Sequence, residues 1–254
     1  MTAATGRHPP RAYGGAQHRI AKPVGRRGGV VLMPGHAARE QGRTLFPSTV
    51  VHASLSPRVL IDGVNQRKIG RKVTKGRWTG MRIFTLTLEE RATCPRACQQ
   101  WDSCYGNNMP YARRHIGGAE FEAKLDAELM ALNRRHPRGF VVRLHILGDF
   151  YSLAYARYWQ AALDRFPALR VFGYTSHAPE SEIGAELLRA TLDRWDRFAI
   201  RFSGAGLHAL GAETIERDET TPHIICPAQT GKTDCCATCA LCWGTDRTIA
   251  FLRH

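Results

Sequence analysis

From residue 81 onward the sequence predicts an α/β fold, a partial or complete (β/α) barrel with helices outside a parallel sheet. Two observations predict it: strand-like and helix-like segments alternate, and two of the strands carry polar side chains on one face. Met81 to Leu88 (MRIFTLTL) reads as the first strand. Ala119 to Arg135 reads as a helix, because Phe121, Leu125, Leu129 and Leu132 recur at helical spacing on one stripe. Phe140 to Asp149 (FVVRLHILGD) is the second strand. Ser152 to Phe166 is a helix stopped by Pro167, and the strand Arg170 to Thr175 follows it. Ser181 to Trp195 is a third helix, followed by the strand Arg197 to Ser203. Short strands at His223 to Cys226 and Thr248 to Leu252 complete the pattern.

Strand parity points to where chemistry belongs. In the second strand Val142, Leu144 and Ile146 share one face, while Arg143, His145, Leu147 and Asp149 share the other. In the fourth, Phe198, Ile200 and Phe202 oppose Ala199, Arg201 and Ser203. If the sheet curls, the polar faces line a lumen whose carboxyl-end mouth is the usual place for an active site. Asp149, His145 and Arg201 are therefore the candidate pocket-lining and catalytic residues.

Charge divides the chain. Lys and Arg number 36 against 22 Asp and Glu, a net charge of +14. Residues 1–45 hold eight of the basic residues against Glu40 alone, and residues 46–82 hold eight against Asp62. The remainder is balanced. Rich in Gly, Pro and Ala and without a hydrophobic period, residues 1–45 read as a flexible basic arm. Residues 46–80 read as a basic lead-in, and 81–254 as the α/β metal-binding domain. In the lead-in, Arg67, Lys68, Arg71, Lys72, Lys75 and Arg77 surround Trp78, a combination suited to phosphate contact and base stacking. Nucleic acid, DNA ahead of RNA, is the expected partner. No run of 18 apolar residues spans a membrane, and Met1 to Pro10 lacks the apolar core of a secretory signal. The expected compartment is the cytoplasm, where eight cysteines read as metal ligands or reactive thiols and not as disulfides.

The cysteines fall into two groups. Cys94, Cys98 and Cys104 form C-x3-C-x5-C just after the first strand, three thiolates on one loop that leave a metal one ligand short. Cys236, Cys239 and Cys242 form C-x2-C-x2-C, with Cys226 or His254 available as a fourth ligand. Spacing leaves zinc and an iron–sulfur cluster both open there, and Cys235 is the odd one out. Gly231-Lys232-Thr233 echoes a phosphate-binding loop, but Cys226 stands where that loop needs glycine.

The order Thr93-Cys94-Pro95 with Cys104-Tyr105, Arg143 to Ser152 with Tyr155 and Trp159, Phe172 to Ser176, and Cys226-Pro227 with the last cysteines, Ile249, Phe251 and His254, resembles the bacteriophage gene product 88 family. The resemblance runs from about residue 80 to the end and implies a phage or mobile-element origin, with the host cytoplasm as the setting. A more distant similarity is to radical-SAM enzymes. It implies a [4Fe-4S] cluster on Cys94, Cys98 and Cys104 that binds S-adenosylmethionine, with Gly148-Asp149 as a shortened Gly-Gly-Glu counterpart and Thr175 and Ser176 at the next strand end. The spacing departs from that superfamily's C-x3-C-x2-C. The same similarity implies an auxiliary cluster at Cys226, Cys236, Cys239 and Cys242, where the spacing also admits zinc. The leading expectation is a nucleic-acid-modifying metalloenzyme. Two alternatives stand beside it: a zinc-dependent base transglycosylase exchanging guanine or 7-deazaguanine, similar in its Cys3His set and in Asp149, and a non-enzymatic zinc-stapled nucleic-acid-binding protein.

Overall fold

The computed structural model describes residues 30–204 and 209–253. The main sheet contains β2 (Ile61–Asp62), β3 (Arg82–Thr85), β5 (Phe140–Arg143), β6 (Leu169–Thr175), β7 (Phe198–Ser203), β8 (Gly211–Ile215), β9 (Ile224–Ile225) and β10 (Ile249–Leu252). Their spatial order is β2-β3-β5-β6-β7-β8-β10-β9, and every pairing is parallel except β2 with β3. A separate parallel pair joins β1 (Val50–Val51) to β4 (Arg114–His115). The eight strands form an open row with β2 and β9 at its edges, so the described residues make a mixed α/β sheet and not a closed barrel.

Three helices connect the central parallel strands: α2 (Ala119–Arg135), α3 (Leu153–Arg165) and α4 (Glu182–Asp193). Each forms for a local reason. The stripe Phe121, Leu125, Leu129 and Leu132 is the buried side of α2. Ser152 caps α3 by accepting the Tyr155 amide, and Ser181 caps α4 by accepting that of Gly184. All three pack on one face of the sheet, against Phe84, Val142, Leu144, Val171, Ile200 and Phe202. That outcome follows from sequential parallel strands linked by crossovers of one hand. Residues 69–78 and the C-terminal cysteine segment cover the other face, against Ile83, Val141, Phe172 and Ala199. That segment carries two single-turn helices, α5 (Cys236–Cys239) and α6 (Leu241–Gly244).

Three expectations need correction. Regular pairing in the second strand stops at Arg143, and the alternation slips beyond Leu144: His145 bonds Tyr155 of α3 on the helix side, while Ile146 packs on the opposite core. The last third of the arm, residues 30–45, is a packed brace, with a short helix α1 (Ala37–Gln41) capped by His36 and ended by Gly42 in the left-handed region. Residues 1–29 lie outside the described residues. Trp78 is 1% exposed. It stacks on Trp243 with centroids 5.2 Å apart and planes 12° apart, and its indole N–H donates to the Asp196 carbonyl at 2.8 Å, so no face is free for a base. No helix among the described residues is long and apolar enough to cross a membrane.

Candidate functional site

The first cysteine loop sits at the carboxyl ends of β5 and β6. It rests on buried ion pairs. Glu90 receives the Arg114 guanidinium through both carboxylate oxygens, at 2.6 and 3.0 Å, and both side chains are fully buried. Glu89 binds Arg43 and the Thr44 amide. The brace clamps the loop from outside: Arg39 reaches Asp102 at 2.7 Å, Arg96 reaches the Arg39 and Glu40 carbonyls, and the Leu32 amide donates to the Asp102 carbonyl. Buried Arg91, itself in the left-handed region, ties the loop together through the Trp101 and Arg43 carbonyls and Asn107.

Asp149 is placed by a turn that requires glycine. Gly148 has φ +86°, and a Cβ there would lie 2.6 Å from Thr93 Oγ1 and 2.7 Å from Leu88 Cβ. Beyond it, the Asp149 amide donates to Thr93 Oγ1 at 3.1 Å, fixing the carboxyl beside Cys94. Its two oxygens accept the amides of Phe150 (2.8 Å) and Ser176 (2.7 Å). The Ser176 hydroxyl donates to Cys98 Sγ at 3.3 Å. Ser176 thus joins the predicted carboxylate to a predicted thiol, and Thr175 orients His177 by accepting its amide.

Burial dominates the ionisation of this group. Asp149 is 3% exposed, and burial raises its pKa against the pull of His177 and the amides. Burial, then the Asp149 charge, pushes the Cys94 thiol well up. Burial raises Cys98 also, opposed by the Ser176 hydrogen bond, and carries Cys104 to about 11. Without a metal these thiols hold their protons.

The second cysteine group lies on the face of the sheet away from the long helices. Cys226, Cys236, Cys239 and Cys242 line one small cavity together with Leu241 and Ile249. The Tyr174 hydroxyl donates to Cys242 Sγ at 2.8 Å, and Cys236 and Cys242 hydrogen-bond to one another. In that pair the proton stays on Cys236. The hydrogen bond from Cys236, helped by Arg201, Tyr174 and Arg143, holds Cys242 down at about 6 against its burial. Burial raises Cys239 to about 11. Cys235 is buried outside this cavity, under Gly70, where a Cβ would come within 2.6 Å of its sulfur.

Arg201 has a structural duty. Fully buried, it donates to the carbonyls of Cys242 (3.0 Å), Arg247 (2.9 Å), Gly211 (3.3 Å), Leu241 (3.4 Å) and Thr245, which fastens α6 to β7 and β8. His145 lies elsewhere, with Nε2 at 3.2 Å from the Tyr155 hydroxyl and its ring edge-on to Phe150. Burial, then Arg143, lowers its pKa to about 3. Of the three pocket residues expected from parity, Asp149 alone adjoins the first cysteine loop. His254 lies outside the described residues. No three His, Cys, Asp or Glu side chains among the described residues are already gathered as a metal-holding group.

The lead-in segment belongs to the second group. The Cys236 and Ala237 amides donate to the Lys68 and Ile69 carbonyls (2.8 and 2.9 Å), and the Thr74 amide donates back to the Ala237 carbonyl. Arg77 is spent on the Trp195 and Trp243 carbonyls. Lys68 packs its ammonium 5.3 Å from the Phe251 ring centroid. Arg67, Arg71, Lys72 and Lys75 remain exposed. Two residues that sequence reasoning missed complete this site. Arg143 lies 4.7 Å from the Tyr174 ring centroid, and Tyr174 reaches Cys242. Their polar character at the ends of adjacent strands was the available signal.

The model for the gene product 88 family matches residues 59–235. The chain belongs to this phage-type family. The matched span includes the first cysteine loop, Asp149, Ser176 and Cys226, begins earlier than the motif order indicates, and stops short of Cys236, Cys239 and Cys242. No curated protein and no solved structure matches the chain.

Proposed function

We propose that this gene product 88 protein is a metalloenzyme that holds iron–sulfur at Cys94, Cys98 and Cys104 and modifies nucleic acid. One observation carries the reading: Ser176 bridges the Asp149 carboxylate and the Cys98 sulfur at the carboxyl ends of neighbouring parallel strands. Ends of parallel strands are where α/β sheets bind ligands. Three thiolates leave an iron open to a further ligand, and with S-adenosylmethionine such a cluster supplies radical chemistry. The chain's own residues set the geometry. Thr93 and Gly148 fix Asp149, Ser176 spaces the carboxylate from Cys98, and Arg91 with the α1 brace holds the loop closed.

The base-transglycosylase reading loses support, since Asp149 neighbours Cys94 and Cys98 instead of the C-terminal cysteines, and amides occupy both of its oxygens. Anaerobic purification with iron, sulfide and zinc analysis tests the proposal. The expected result is a brown protein whose absorbance S-adenosylmethionine perturbs and whose colour Cys98→Ser removes. A colourless protein holding zinc alone would sink it.

For the substrate, the exposed Arg67, Arg71, Lys72 and Lys75, together with the six Lys and Arg of residues 1–29, favour a polyanion. Deleting residues 1–29 is expected to weaken DNA binding and flatten its salt dependence without unfolding the remainder. Unchanged binding would assign the contact to another surface.

A further inference from the structure

We infer that Cys226, Cys236, Cys239 and Cys242 form a tetrahedral four-thiolate site for a single zinc ion, with Cys235 not among its ligands. Spacing alone left the fourth ligand open, and the cavity, which Cys226 lines with the other three, favours Cys226. All four sulfur-bearing residues line it, drawn from two turns: the one after β9, where the Cys226 amide binds the Ala250 carbonyl at 2.8 Å, and the α5–α6 corner. That corner is sharp because Ala240 adopts the left-handed region at φ 61°, ending α5 and starting α6 so that Cys239 and Cys242 face one space. Cys235 points away under Gly70 and hydrogen-bonds Thr238 instead.

The cavity that the four cysteines share is small, which favours a single ion over a cluster. A zinc–sulfur bond of about 2.3 Å puts tetrahedral sulfurs roughly 3.8 Å apart. A cubane cluster binds each thiolate to a different iron and needs them spread wider. Four thiolates around a divalent ion also leave an excess of negative charge. Arg143 and Arg201 on the sheet and Lys68 on the lead-in segment lie close enough to act on these sulfurs, and Leu241 and Ile249 give the cavity an apolar flank. The four thiols line the cavity without yet converging, so binding turns them inward and releases protons.

The inference is independent of what the first loop holds, and the test separates the two. Full-length chain carrying Cys98→Ser, loaded with zinc alone, is expected to retain one zinc per chain in the presence of a weak chelator. X-ray absorption at the zinc edge should then report four sulfurs at about 2.3 Å. Cys239→Ser in the same background should weaken retention by at least about a hundredfold, and Cys235→Ser should leave it unchanged. If Cys239→Ser fails to fold, the sulfur count on the Cys98→Ser chain still decides the matter. A nitrogen ligand, fewer than four sulfurs, no retained zinc, loss of zinc in Cys235→Ser, or an iron–sulfur spectrum from this site after anaerobic purification would each overturn the assignment.

Discussion

Cys94, Cys98 and Cys104 have the carboxylates Asp149 and Glu90 and the cation Arg91 for neighbours, whereas Cys226, Cys236, Cys239 and Cys242 have cations. In the first group burial leads the rise in thiol pKa, Asp149 and Glu90 add to it and Arg91 opposes it, whereas in the second Arg143, Arg201 and Lys68 oppose the rise. The supports differ as well. The first loop hangs on side-chain ion pairs from chain-remote Arg39, Arg43 and Arg114 and stays partly exposed. The second is pinned through its backbone carbonyls by Arg201 and roofed by stacked Trp78 and Trp243. An immobilised, cation-ringed pocket suits a permanent structural ion. A half-open, acidic mouth suits an exchanging ligand.

The comparison breaks hardest at Arg201. Removing its guanidinium orphans several buried carbonyls, so Arg201→Met is expected to cost about 3–5 kcal/mol in urea denaturation and to release zinc from the second group. A shift below about 0.5 kcal/mol would show that the C-terminal segment needs no clamp. Gly148→Ala strikes the first group alone. A left-handed backbone and two contacts under 3 Å predict a loss of about 2–3 kcal/mol and no metal uptake at Cys98, with zinc at the second group intact.

His145 serves neither group, and pH reveals it. Its folded pKa of about 3 lies below the ordinary 6.5, so its contribution is complete above about pH 6.5 and is lost as pH falls toward 3. At pH 5 the loss from this residue is about 2 kcal/mol. His145→Gln should remove one proton's worth of slope from stability measured between pH 7 and pH 5, and an unchanged slope would mean His145 protonates without unfolding the chain. The smallest effect belongs to exposed Arg71 and Lys72. Their alanine variants should leave stability within about 0.5 kcal/mol, and each should lower the salt slope of DNA binding by about one if it touches phosphate.

How far the sequence was legible follows from which forces hold each part. Helix α2 was readable to the residue because Phe121, Leu125, Leu129 and Leu132 write their period locally. So was the cluster of Cys98, Asp149 and Ser176, since strand ends and a Gly-Asp turn point one way. Residues 30–45 read as a loose arm because ion pairs and carbonyl contacts hold them, and these leave no hydrophobic period. Trp78 read as a base-stacking residue because its real partner, Trp243, lies far along the chain. His145 was assigned to the wrong face because alternation persists only while ladder pairing does, and that pairing ends at Arg143.

The tip of β6 serves both cysteine groups. Tyr174 holds Cys242 and Ser176 holds Cys98, with only Thr175 between them, a separation of about 7 Å along the backbone. With ligands at both groups, such an arrangement would act as a thermodynamic lever. Where a shift of this tip couples ligand binding at the two sulfur groups, the factor by which one ligand changes the affinity of the other is the same in both directions, since linkage between two binding equilibria is reciprocal. A zinc content that altered cosubstrate affinity, and a cosubstrate that altered zinc affinity equally, would make the buried ion an effector of the mouth as well as a staple.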